Sequence, residues 1–201
     1  METDFRLPSL EARYTKSWFA RRKKLLWRMP IVAEAINNTW HPATVIDVGC
    51  GDGYVVQGLL DCGVDAWGIE GSLECCGLLS APPDRVLLLD ARIPWSHEGP
   101  PFDLVCSLEV AEHIDPLYAE TFVDNLIGLG RKVLLTAAPP GQKGHHHVNC
   151  RPRSYWIDLF WQRGYRPAPQ ALHTFREQLT PWSHRKELEV YRANGLCFAN
   201  D

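Results

Sequence analysis

The stretch VIDVGCGDGY, Val45 to Tyr54, sets three glycines (Gly49, Gly51 and Gly53) directly behind an apolar, β-branched run that carries one acid, Asp47. The run has the composition of a buried strand, and glycine permits positive φ and close approach of a ligand to the backbone. A strand entering a helix through a ligand-holding loop is one reading, and an ordinary tight turn is the other. The residues on either side decide between them.

Downstream, "DAWGIEG", "DRVLLLDA", "FDLVCSLEV" and "RKVLLTAAP" read as further apolar strands. "YVVQGLLDCG", "SLECCGLLS" and "LYAETFVDNLIGLG" read as helices between them, the first and last closed by glycine. Unbroken apolar strands separated by helix-length segments indicate a parallel sheet covered on both faces, an α/β doubly wound architecture. Upstream, Leu10 to Thr39 is helical in pattern, and Pro30 predicts two helices or a break there. Residues 139–153 form a polar loop, "YWIDLFWQRGY" a helix, and the tail from Pro167 a strand, a loop and a final strand. With 201 residues, the chain reads as a single domain, residues 1–201, with residues 1–40 as an N-terminal helical cap. That cap, bearing Tyr14, Trp18 and Arg21, is either a lid over a ligand or a cover for the sheet.

Hydrophobic content of 45% and charged content of 22% are those of a globular chain, and a net charge of −3 gives no general attraction to nucleic acid or membrane. The run "RRKK", Arg21 to Lys24, is either a solvated helix face or a contact for an anionic partner. Seven cysteines without a CxxC pair suggest neither a zinc knuckle nor a dithiol site. The N-terminus lacks a signal-peptide apolar core, and no apolar run is long enough for a bilayer. A cytoplasmic location, with no membrane partner, is the expectation. Nothing here speaks to oligomeric state.

The glycine spacing is G-x-G-x-G, not the G-x-G-x-x-G of a dinucleotide loop. In order, "VIDVGCGDG", "WGIEG", "LLLDA" and "FDLVCSLEV" resemble the motifs of class I S-adenosylmethionine-dependent methyltransferases. The resemblance implies a Rossmann-like, doubly wound, mostly parallel seven-stranded sheet with helices on both faces. It further implies that Asp47, Gly49, Gly51 and Gly53 surround the methionine part of S-adenosylmethionine. Glu70 would take both ribose hydroxyls, and Asp90 and Ala91 the adenine end. Ser107 would lie beside the methionine end.

"SLEVAEHI" supplies Glu109, Glu112 and His113, which share one face if a helix begins near Glu109. Two carboxylates and an imidazole suit Mg²⁺ or Mn²⁺. The E-x-x-E-H pattern is similar to that of ubiquinone-pathway O-methyltransferases and of small-RNA terminal-ribose methyltransferases. The latter likeness implies a divalent metal held by Glu109, Glu112, His113 and a downstream histidine, here His147 of "GQKGHHHVN". Without metal, His113 or His147 is the candidate general base; a structural role for the E-H pair is the plainer alternative.

"PGQKGHHHVN…YW" is also similar to the P-G-Q-x-G-x-x-H-x-N signature of a bacterial and phage group of methyltransferase-domain proteins, and "VYRANGLCF" to that group's Tyr–Asn element, here Tyr191 and Asn194. Gln142, Asn149, Tyr155 and Trp156 become candidates for the acceptor pocket, with core packing equally open to the two aromatics. These features together predict O-methylation of a small-molecule acceptor such as a sugar, polyol or phenol. The rival readings are an RNA terminal-ribose methyltransferase, a non-catalytic cofactor-binding scaffold and, more distantly, a dinucleotide oxidoreductase. A nitrogen acceptor stays open.

Overall fold

The structure, a computed structural model, describes residues 9–10, 13–75 and 78–200. Strand β1 (Thr44–Val48) is the axis of the sheet. Its side chains alternate between two apolar layers: Val45 packs on one side, Ile46 and Val48 on the other. The same alternation sorts Leu104 and Cys106 from Val105 in β4 (Leu104–Leu108), and Leu134 from Val133 and Leu135 in β5 (Lys132–Thr136). Period-two strands buried on both faces account for the unbroken apolar runs.

With β2 (Asp65–Glu70), β3 (Val86–Leu88), β6 (Arg166–Pro167) and β7 (Gly195–Ala199), the sheet has seven strands in the order β3-β2-β1-β4-β5-β7-β6. Strands β1 to β5 are parallel to one another, and β7 is antiparallel to both β5 and β6. The mostly parallel, doubly wound sheet expected from the sequence is therefore the one observed. One layer takes residues of α2 (Arg28–Trp40), α3 (Tyr54–Asp61), α6 (Pro169–Leu179) and α7 (Lys186–Asn194). The other takes α4 (Ala119–Leu129) and α5 (Arg153–Gln162), with Phe122, Leu126 and Phe160 fully buried. Helix α1 (Lys16–Arg22) lies apart from both layers, over the carboxyl end of the sheet.

Several local expectations are corrected. The segment after β2 forms only a 3₁₀ turn, Leu73–Cys75, with Cys76 and Gly77 outside the described residues. Pro30 does not break the chain. It sits in the first turn of α2, where its missing N–H has no intrahelical acceptor to lose. The break falls one turn earlier, at the 3₁₀ turn Lys23–Leu25. The tail holds two helices, α6 and α7, where a loop was expected, between the two strands that were foreseen, β6 and β7. No described helix is long and apolar enough to cross a membrane.

Candidate active site

Strand order reverses between β1 and β4, and ligands in such sheets bind beyond the carboxyl ends of the strands at that point. A solvent-open cleft of about 1080 Å³ lies there. Asp47, Gly49, Gly51, Glu70, Asp90, Ala91, Glu109 and His113 are all on its wall. Gly53 is not; it has φ 74° and caps the start of α3. Ser107 is corrected as a cleft residue: it is fully buried between β1 and β4, its hydroxyl donating to the Val48 carbonyl at 2.9 Å.

The loop's geometry explains its glycines. Gly49 has φ 79°, and a Cβ there would stand 2.5 Å from Val110 Cγ2. Gly51 has φ 60° and turns its amide to Glu70, donating to Oε2 at 2.9 Å, while the Ser72 amide donates to Oε1 at 2.9 Å. Burial raises the Glu70 carboxyl even so, with these amides opposing it. Asp47 is nearly inaccessible, and its Oδ1 has no hydrogen-bond partner. Burial, and secondarily the Glu70 charge, push its carboxyl up to about 7. Asp90 is gripped by Arg92, whose Nε lies 3.0 Å from Oδ1 and whose Nη2 lies 2.7 Å from Oδ2.

Beyond β4 the chain departs from the expected helix. Glu109 adopts φ 58°, a left-handed conformation, with its amide donating to Thr136 Oγ1 at 2.8 Å, and only a 3₁₀ turn, Ala111–His113, follows. The turn separates the two acids. Glu109 accepts from Asn194 Nδ2 at 3.0 Å and from Gln142 Nε2 at 3.3 Å. Asn194 Nδ2 also donates to Gln142 Oε1 at 3.1 Å, so α7, the loop and the β4 turn meet at one polar knot. Tyr191, one turn earlier on α7, reaches the cleft wall. Trp156 is core, as one of its two readings held, and Asn149 is buried with its Oδ1 accepting from Arg151 Nε.

Glu112, His113 and His147 do come together: one ligand atom from each lies within 4.8 Å of the others. Glu109 is outside this set. The Glu112 side chain is fully buried and neither carboxylate oxygen has a hydrogen-bond partner; His147 Nε2 stands 4.0 Å from Oε1. His113 Nδ1 lies 3.2 Å from the His146 carbonyl, and His147 Nδ1 lies 3.1 Å from the Gln142 carbonyl. A carbonyl only accepts, so each Nδ1 carries a proton and each ring turns its Nε2 away from that carbonyl. Burial pushes His113 down to about 4 against the opposing hydrogen bond to the His146 carbonyl, so it is neutral at pH 7. Burial and the nearby Glu109 charge push the Glu112 carboxyl up to about 8. A cation binding there would displace the Glu112 proton and meet two imidazoles whose Nδ1 atoms are oriented by backbone carbonyls.

The N-terminal segment covers the cleft. Tyr14, Trp18 and Arg22 all line it, as does Phe19, whereas Arg21 points to solvent. Sequence reasoning named the wrong arginine of the basic run. The spacing 14, 18, 22 is one face of a helix and was the available signal.

A doubly wound sheet of this order, with a glycine loop after β1 and an acid at the end of β2, is a nucleotide-cofactor fold, and the family match below makes it a class I S-adenosylmethionine-dependent methyltransferase. Residues 14–126 match the family described as "Methyltransferase domain", and the chain belongs to that family. The fold is similar to the magnesium protoporphyrin IX methyltransferase of Synechocystis PCC 6803 with bound S-adenosylhomocysteine (TM-score 0.56, 17% identity, covering 82% of this chain and 81% of that one). It is also similar to the plantazolicin methyltransferase BpumL in complex with S-adenosylhomocysteine (0.61, 12%, 96% and 91%). A third similar structure is the [4+2]-cyclase SpnF (0.54, 13%, 85% and 81%), so the fold by itself does not select an acceptor. A search of curated proteins finds no match.

Proposed function

We propose that this methyltransferase transfers the methyl group to a hydroxyl oxygen of a small polyol, sugar or phenol, with Glu112, His113 and His147 holding a divalent cation beside the reaction. The observation that carries this reading is the Glu112–His113–His147 group, whose ligand atoms converge within 4.8 Å around a carboxyl with no hydrogen-bond partner, and of which His113 also lies on the cleft wall. Two imidazoles and one carboxylate suit Mn²⁺ better than Mg²⁺, which prefers oxygen. When bound, such a cation lowers the pKa of a coordinated hydroxyl.

The reaction is an in-line displacement: the acceptor oxygen bonds to the methyl carbon as the sulfonium–carbon bond breaks, and the hydroxyl proton leaves. The protein's share is to hold the two reactants and to manage that proton. Glu70 and the loop amides fix the cofactor's ribose side, and Asp47 faces its methionine side. His113 belongs both to the cleft and to the cation-holding group, so a cation held by its Nε2 would stand beside the acceptor hydroxyl, whose proton passes to solvent. Glu109, restrained by Asn194 and Gln142, keeps the loop against the cleft.

The test is titration of Mn²⁺ followed by loss of the free-ion paramagnetic signal, paired with labelled methyl transfer to a panel of catechols, polyols and sugars. One Mn²⁺ per chain, lost in Glu112→Gln and His147→Ala, and label on a hydroxylated small molecule are expected. Absence of Mn²⁺ binding would remove the cation. Label entering the 3′-terminal ribose of a short RNA instead would overturn the small-acceptor reading.

A further inference from the structure

Gln142 joins two hydrogen-bond systems. Its side-chain amide is held at both ends, with Nε2 donating to Glu109 Oε2 at 3.3 Å and Oε1 accepting from Asn194 Nδ2 at 3.1 Å. Its backbone carbonyl accepts from His147 Nδ1 at 3.1 Å and from the Cys150 thiol at 3.7 Å. The anchor behind the amide is itself fixed. Arg153 donates from Nη1 to the Ala193 carbonyl at 2.9 Å and from Nη2 to the Gly195 carbonyl at 2.7 Å, bracketing Asn194 in the chain. Two residues past Gln142, Gly144 packs against the same imidazole: a Cβ there would stand 1.9 Å from His147 Nε2 and 2.3 Å from Cε1. Gly144 is not at positive φ, so the ring, not the backbone conformation, demands a glycine.

We infer that Gln142 and Gly144 are positioning residues for His147. The Gln142 side chain clamps the loop to α7 and to the turn after β4, and its carbonyl fixes the ring at Nδ1. Gly144 leaves the ring the room to hold Nε2 at 4.0 Å from Glu112 Oε1. Such groups set the geometry of a ligand atom without touching the ligand, and small displacements there are costly. The use of His147 rests on the cation proposed above; its orientation does not.

The first test therefore needs no cation. Proton–nitrogen spectra of histidine-labelled, metal-free protein at about pH 8.5, where imidazole is ordinarily neutral, report which ring nitrogen carries the proton. The wild type is expected to hold His147 protonated at Nδ1, and Gln142→Ala to give a mixture of both tautomers. The carbonyl survives in that variant, so the change reports the clamp. Gln142→Met, which keeps the length and loses both amide contacts, is expected to behave like Gln142→Ala. Mn²⁺ affinity, read from the free-ion signal, is expected to fall about 10- to 100-fold in both variants and in Gly144→Ala. Lys143→Ala, exposed between the two, stays within about 3-fold. A single Nδ1 tautomer in Gln142→Met, or full Mn²⁺ affinity in Gly144→Ala, would overturn the inference. Wild-type protein that takes up no Mn²⁺ would refute the cation reading, and the tautomers of the Gln142 variants would then decide the clamp by themselves.

Discussion

Glu70 at the end of β2 accepts a hydrogen bond from the amide of Gly51, 2.9 Å away in the loop that follows β1. One carboxylate thus sets the loop's shape and faces the cleft at the same time. Glu70→Ala is expected to weaken S-adenosylhomocysteine binding by about 100-fold and to lower Tm, because the proposed ribose contacts and the loop clamp would be lost together. Glu70→Gln, which keeps one acceptor oxygen, falls between. Calorimetry and thermal melts on the three proteins check the order.

Asp47 gives the binding a pH dependence. Its carboxyl stands at about 7 in the ligand-free protein, raised first by burial and then by Glu70. A raised carboxyl binds its proton more tightly folded than unfolded. Its contribution to stability is full below the ordinary carboxylate range, near pH 4, and is lost as pH rises through about 7. In the proposed placement a cofactor ammonium beside Asp47 would favour the ionised form, so binding is expected to release a proton near pH 6.5 and to weaken as pH falls below 7. Calorimetry in buffers of different ionisation enthalpy reads that proton directly. Zero release at pH 6.5, or release unchanged in Asp47→Asn, would contradict the assignment.

Asn194 is expected to matter through Glu109 rather than through the cofactor. Asn194→Ala leaves the Glu109 carboxylate without its closest donor and costs about 1–3 kcal/mol in urea unfolding. Asn194→Asp places a second carboxylate there and costs more at pH 7, with the excess shrinking as pH falls through the carboxylate range. An Asp variant as stable as wild type at neutral pH would show that the knot does not form.

Gly49→Ala meets two obstacles, a left-handed backbone and the Val110 methyl in the path of the new Cβ. A loss of about 1–3 kcal/mol is expected. Val110→Ala in the same chain should return the steric part and leave the backbone part. Strict additivity of the two changes would mean that Val110 is not the obstacle.

The sheet was legible because its strands are buried on both faces and therefore appear as apolar runs, with Gly63 and Gly164 at positive φ just beyond helix ends. The tail was not: α6 and α7 are polar overall, and α7 has only a weak apolar stripe. Glu70 and Asp90 could be placed on the cleft because a strand end fixes a residue's position. Glu109 misled because a hydrogen bond to Thr136, 27 residues away, turns the chain out of the helix that its local spacing allows. The E-x-x-E-H spacing counted Glu109 and Glu112 as partners. The fold instead gives Glu109 to Asn194 and leaves Glu112 to two histidines, a sorting set by contacts 33 to 85 residues apart. Ser107 was assigned by position in a motif, but the period of β4 turns it inward to Val48.

The most direct measurement is calorimetric titration of S-adenosylhomocysteine into the metal-free protein, with Asp47→Ala and Glu70→Ala alongside. One site per chain, abolished or severely weakened in both variants, is the expected result. No binding to the wild type, or equal binding to all three proteins, would contradict the placement of the cofactor in this cleft.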